Sequence, residues 1–205
     1  MTPAHQPARS RRTTERKGDV RERAILDTCE ALLVRKGYDA MTVADIAQGA
    51  GITRGALYFY FGSKQEVVTA LVARTVAHLW ERSEATARTD EPRRAVAAAM
   101  QRTVELWNEH GPVMRTAIDL SLTVPEIGEL WKRTADLFIA AITAVLERAG
   151  VQAGPAPDQA PAMARVLCWM IERTFYHASQ ESPQKLQEAS ATCEHIWLTS
   201  AGLTS

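Results

Sequence analysis

The sequence predicts an all-α protein in two parts: a small N-terminal three-helix head, joined by a long helix to a larger helical body. Three observations predict it. Apolar residues recur at helical spacing along most of the 205 residues, and no convincing alternating strand interrupts them. Glycine, proline and Ser/Thr capping positions punctuate these periodic runs. Residues 42–64, TVADIAQGAGITRGALYFYFGSK, divide into two short helices around a tight turn.

Residues 1–18 come first. They carry Pro3, Pro7, Arg9, Arg11, Arg12, Arg16 and Lys17 without an apolar cluster, and so form a basic arm expected to be disordered. Such an arm either lies along DNA or its minor groove, or is a solvated tail. A helix follows over about 19–36, with Ile25, Cys29, Leu32 and Leu33 as one inward stripe, and Gly37 ends it.

In the 42–64 segment Thr42 caps a short helix, with Asp45 at capping-box spacing. Ile46 and Ala47 lie one turn from Val43 and make its apolar face. Gly49 or Gly51 supplies a left-handed residue at the helix end. Ile52 plugs the gap between the two helices, and Thr53 caps the second, which begins at Arg54. Leu57 and Phe61 face inward at i,i+4. Ser63 and Glu66 make a second capping box, for the helix that follows.

This layout reads either as an ordinary helical hairpin or as a helix-turn-helix, whose second helix enters the major groove of DNA. On the second reading the small Gly55 and Ala56 let the backbone approach base edges. Arg54 projects from the first turn and can bond guanine bidentately. Tyr58 and Tyr60 offer hydroxyls to phosphates, and Lys64 grips a phosphate at the next helix start. The DNA-binding set is Thr42, Thr53, Arg54, Gly55, Ala56, Tyr58, Tyr60 and Lys64.

A long helix over about 64–87 turns Val67, Val68, Leu71, Val72, Val76 and Leu79 inward and links head to body. Pro92 opens a helix to about His110, where Gly111-Pro112 breaks it. Thr123 and Glu126 form a capping box, with Pro125 in the first turn, for a helix to about Ala149. Residues 150–161 are a Gly/Pro/Ala-rich loop. Helices over about 161–181 and 184–202, divided by Ser182-Pro183, close the chain.

Composition bounds the function. The 46% apolar content supports a real core, and no apolar run approaches membrane-spanning length. A charged N-terminus without an apolar core gives no secretory signal, and three widely spaced cysteines suit a reducing cytoplasm. No cofactor, metal or catalytic residue is expected. The formal net charge is zero, but residues 1–64 carry +4 and the remainder −4. A basic head on an acidic body suits a protein that presents one end to phosphate.

The segment also resembles the DNA-binding signature of the TetR family of bacterial transcriptional regulators. The resemblance is carried by Thr42-Val43-Ala44-Asp45-Ile46-Ala47, Ala50-Gly51-Ile52, Thr53 through Phe61 and Ser63-Lys64, with Ala24-Ile25-Leu26 and Gly37-Tyr38 before them. It implies a helical body that dimerises and that loses DNA affinity on binding a small molecule. Residues 19–64 would then be the DNA-binding domain and 65–205 the ligand-binding and dimerisation domain.

The body is rich in aromatics, among them Trp107, Trp131, Phe138, Trp169, Phe175, Tyr176 and Trp197, which form either a plain core or a cavity wall. Glu172 lies within an apolar stretch. It is either paired, with Arg173 or Arg133, or stands as a polar group in an apolar cavity. Glu129-Leu130-Trp131, Glu172-Arg173-Thr174 and His195 through Ser200 are similar to the EthR branch of the family, the ethionamide-resistance repressors. That branch implies a mostly aromatic tunnel lined here by Trp107, Trp131, Phe138, Cys168, Glu172, Phe175, Tyr176 and Trp197. The sequence departs from the branch at Val96, Thr103 and Ile171, where the branch has further aromatic or amide residues.

The last two helices are expected to dimerise, through Leu167, Met170, Leu186, Ala189, Cys193, Ile196 and Leu203, with Trp197 serving either pocket or interface. The leading reading is a dimeric repressor that binds inverted-repeat operator DNA and is released by a hydrophobic small molecule. One alternative keeps the DNA binding but has a filled core and no inducer. Another is an enzyme using Glu172, Tyr176 and His177, with His177 off the face of Glu172.

Overall fold

The computed structural model describes residues 17–87 and 91–204, and among them forms eight α-helices and no strand. The basic arm, apart from Lys17 and Gly18, lies outside the described residues, as does the Leu79 side chain.

Helix α1 (Lys17–Ala40) buries Ile25, Leu26, Cys29, Leu32 and Leu33. Gly37 breaks it at φ 72, a left-handed conformation that costs a residue with a Cβ. Helix α2 (Val43–Gly49) and α3 (Arg54–Tyr60) complete the head. The long α4 (Lys64–Ala87) closes it by burying Val67, Val68, Leu71 and Val72, then runs on into the body with Val76 buried.

In the body, α5 (Pro92–Leu120), α6 (Pro125–Arg148), α7 (Ala160–Ala178) and α8 (Pro183–Ser200) pack around α4 and one another. The break expected at Gly111-Pro112 is a kink inside α5. His110 leaves helical geometry (φ −122, ψ 19), and the helix resumes to Leu120. Pro112 has no N–H to donate and crowds the preceding turn, which bends the helix; burial of Val113, Met114, Ala117 and Ile118 carries it on.

The Thr123–Glu126 capping box does not form. Val124 occupies the cap position without a side-chain bond, while the Thr123 hydroxyl donates back to Leu120 O. The tight turn explains this: a Cβ on Gly128 would stand 2.6 Å from Ser121 O, so the turn lies flush on α6. The Ser63–Glu66 box forms by half. Glu66 N–H donates to Ser63 Oγ, but the Glu66 carboxylate accepts from Gly62 N–H one residue earlier. Ser182 caps α8 by accepting from Lys185 N–H.

Candidate nucleic-acid interface and body cavity

The turn between α2 and α3 is built by two caps and two glycines. Thr42 accepts from Asp45 N–H at 3.2 Å while Asp45 accepts from Thr42 N–H at 2.8 Å, the full capping box. Lys36 stands 2.8 Å from the same carboxylate. These bonds, that of Lys36 first, hold the Asp45 carboxyl well below the usual carboxylate range. Gly51 is the left-handed residue, at φ 66. Gly49 serves close approach instead: a Cβ there would meet Thr28 of α1 at 2.5 Å. Ile52 is half-buried against the core, and Thr53 accepts from Ala56 N–H at 3.1 Å.

These constraints orient α3. Leu57 and Phe61 are buried, whereas Thr53, Arg54, Gly55, Tyr58 and Phe59 are exposed. Ala56 and Tyr60 are half-buried, so Ala56 lies at the rim of the outward face rather than on it. Phe59 was not singled out as a contact residue in the sequence, yet it is 86% exposed. Its signal was the helical period, which puts it one turn beyond Gly55.

Lys64 differs from expectation in its surroundings. Its Nζ donates to Tyr38 O at 2.9 Å and sits 4.1 Å from the Tyr38 ring centroid. The ammonium therefore ties the start of α4 to the end of α1, and only its remaining N–H bonds are free for a phosphate.

A cavity of 170 Å³ lies in the body, walled by α4, α5, α6, α7 and α8. Trp107, Trp131, Phe138, Cys168, Glu172 and Trp197 all line it. Phe175 and Tyr176 do not. Phe175 is fully buried behind Trp107, with ring centroids 6.4 Å apart, and Tyr176 points away to donate to Asp119 at 2.7 Å. They follow Glu172 by three and four residues, and helical spacing alone could not tell the cavity side from the core behind it.

Trp197 is 3% exposed, so it belongs to the cavity and not to an outer surface. Of the three departures from the branch pattern, Thr103 and Ile171 line the cavity and Val96 is core. Sequence reading missed the small residues of the wall, Ala95, Ala99, Ala135 and Ala141, which leave the space the aromatics enclose.

Glu172 is the acidic group on this wall. It accepts from Trp131 Nε1 at 2.7 Å, with Arg173 at 4.0 Å and no ion pair to Arg133. Burial pushes its carboxyl up, and the Trp131 bond and Arg173 oppose that in part. Burial also raises the Cys168 thiol to about 11, so it is an apolar wall element rather than a nucleophile. Neither Tyr176 nor His177 lines the cavity with Glu172: the Tyr176 hydroxyl donates to Asp119, and His177 is exposed and packed edge-on to the Tyr176 ring.

The surface of α7 and α8 corrects the dimer candidates. Leu167, Leu186, Ala189 and Cys193 are buried within this chain's own core, and Met170 and Leu203 are half-buried. The exposed apolar residues on these helices are Val166, Trp169 and Ile196. A helical period marks the apolar side of a helix but not which neighbour covers it.

A helix-turn-helix head, mounted on a rod that also walls a cavity in a helical body, defines a DNA-binding transcriptional regulator. Residues 25–71 match the model of the bacterial regulatory proteins of the tetR family, and residues 96–201 match that of the C-terminal domain of the transcriptional regulator EthR. The chain belongs to the TetR family, with an EthR-type body. It is 36% identical to the HTH-type transcriptional regulator EthR of Mycolicibacterium smegmatis, over 98% of this chain and 95% of that one. It is also 36% identical to EthR of Mycobacterium tuberculosis, over 94% and 92%. The fold is shared with the solved TetR-family regulator PfmR of Thermus thermophilus, with a TM-score of 0.67 at 22% identity, over 84% of this chain and 96% of that one. No helix among the described residues is long and apolar enough to cross a membrane.

Proposed function

We propose that this chain is a dimeric transcriptional repressor that binds inverted-repeat operator DNA and leaves it when an apolar small molecule enters the body cavity. Residues 19–64 would read DNA and residues 65–205 would bind the ligand and dimerise, with Val166, Trp169 and Ile196 on the dimer face. Arg54 and Tyr58, with the backbone at Gly55, would meet base edges and phosphates. Thr42, Thr53, Ala56, Tyr60 and Lys64 would set the approach of α3.

One observation carries the ligand response. The cavity is walled in part by α4, through Val76, and Trp80 of α4 packs edge-on to the cavity residue Phe138 at 5.8 Å. The same helix starts at Lys64, bonded to Tyr38 of the head. A guest that favours a wider cavity would displace the rod that carries the head, and it shifts the equilibrium only by its differential affinity for the two states. A cavity of this size accepts a guest of about one aromatic ring or a little more. Its walls are apolar except near Glu172, Arg102 and the threonines.

The test is a titration of a fluorescent operator duplex, selected from random sequence with the full chain, in the presence of a lipophilic compound library. A compound that raises the melting temperature should weaken operator binding about 5- to 150-fold. If stabilising compounds leave DNA affinity unchanged, or none stabilises, the chain is instead a regulator without an inducer. The cavity beside Trp131 and Glu172 speaks against that second reading, because it requires a filled core.

A further inference from the structure

We infer that Phe59 reads thymine through its C5-methyl group, and that each half-site of the operator carries a thymine opposite it. The inference rests on the operator reading above.

Phe59 is 86% exposed on a helix whose other large apolar residues, Leu57 and Phe61, are buried. Among the four phenylalanines of the chain, Phe61 and Phe175 are buried and Phe138 walls the cavity, so Phe59 alone stands in solvent. The core gains little from it, since the side chain is left almost wholly in solvent. Its ring is nonetheless positioned, edge-on to Tyr60 with centroids 5.5 Å apart and planes at 84°. Tyr60 is half-buried, and among the described residues the one aromatic contact of the Phe59 ring is to this chain neighbour, while the rest of the ring meets solvent.

Gly55 lies one turn before Phe59 and on the same side of α3. Inside the protein a Cβ there would meet only Thr53 Oγ1, at 3.9 Å, and its φ is not left-handed. The fold therefore does not require glycine at 55. What the missing side chain leaves open is the space in front of the helix, beside Phe59. Arg54 and Tyr58 flank this opening with hydrogen-bonding groups, whereas Phe59 has none.

Chemistry then selects the partner. In the major groove the edges of guanine, cytosine and adenine offer only donors and acceptors, and thymine alone adds an apolar methyl. A phenyl ring against a donor or acceptor would strip it of water without replacing the bond. Against a methyl it buries two apolar surfaces.

The experiment uses the full chain and the duplex enriched from a random library. Each dT of a half-site is replaced in turn by dU, which removes the methyl and leaves the hydrogen-bonding edge intact. One or two positions should lose about fourfold in affinity, the worth of one buried methyl. Phe59→Ala should lose a similar factor on the dT duplex and be indifferent to dU at those positions. Phe59→Leu, which keeps an apolar contact, should retain the discrimination. Both variants should melt as the parent does, because the side chain is exposed.

Wild-type binding that ignores dU at every position would overturn the inference. So would a Phe59→Ala chain that still discriminates dT from dU, or one that weakens on all duplexes alike, the mark of a backbone contact. If no duplex is enriched at all, the operator reading fails and the inference with it. If one is enriched and dU has no effect, only the inference fails.

Discussion

His110 Nδ1 donates to the Glu30 carboxylate across 2.5 Å, joining the kink of α5 in the body to α1 of the head. Arg74 of α4 bonds the other Glu30 oxygen at 3.3 Å and Asp27 at 2.6 Å, so three helices meet at one carboxylate. Leu106, one turn before His110, lines the cavity, as does Met114, one turn after it. The contact therefore lies between the cavity wall and the DNA-reading head. Replacing His110 by Ala should cost about 1 kcal/mol in urea unfolding, less than a buried hydrogen bond to a charged group because both side chains are partly exposed. It should also reduce the effect of a stabilising compound on operator affinity. Unchanged coupling between the two titrations would show that the signal travels through α4 alone.

Glu172 should make stability fall as pH rises. Burial raises its carboxyl pKa in the folded state, so the folded chain holds a proton that the unfolded chain has lost. Below the ordinary glutamate value of about 4.3 both states are protonated and there is no penalty. The loss sets in above that pH and is complete once pH passes the folded value. Glu172→Gln keeps an acceptor for Trp131 Nε1 but cannot ionise. Urea midpoints measured from pH 4 to 7 should decline for the parent relative to the variant, and the variant should be the more stable at neutral pH.

Three substitutions on the head should separate fold from DNA contact. Gly55→Ala should raise stability by about 0.5 kcal/mol, since alanine is the better helix former and has room, yet weaken operator binding. Arg54→Ala should relax base preference at one position with little change in melting temperature. Lys64→Ala should weaken binding to all sequences and flatten its salt dependence. It should also lower the melting temperature, because it removes the bond to Tyr38 O. Anisotropy titrations at several salt concentrations, beside thermal melts, distinguish the three.

The α7–α8 surface predicts two kinds of mutant. Trp169→Asp, on an exposed position, should give a monomer by sedimentation and leave the fold intact. Leu186→Ala should instead cost about 2–5 kcal/mol of stability, because Leu186 is buried inside the chain. A Trp169→Asp chain that sediments as the parent does would remove this face from the dimer.

Much of the head was legible because its signals are local. Thr42 and Thr53 cap over three residues, one of Gly49 and Gly51 must be left-handed to turn the chain, and Leu57 and Phe61 share a face by helical period. Such features depend on neighbours within one or two turns, and the sequence states those neighbours directly. The Thr123–Glu126 box shows where local reading stops: the spacing was right, but the close packing of Gly128 on Ser121 O put Val124 at the cap.

By itself, then, the sequence determined the all-α class and the helix-turn-helix, and left the body aromatics open between core and cavity wall. Only the tertiary structure decided that Phe175 and Tyr176 lie outside that cavity, that Trp197 lies inside it, and that Lys64 is tied to Tyr38. It also decided that Leu167, Leu186, Ala189 and Cys193 are internal. The physical reason is common to all of them. A helical period tells which side of a helix is apolar, but whether that side meets core, cavity or solvent depends on which other helices pack there. Those contacts join residues far apart in the chain, as Glu30 and His110 do.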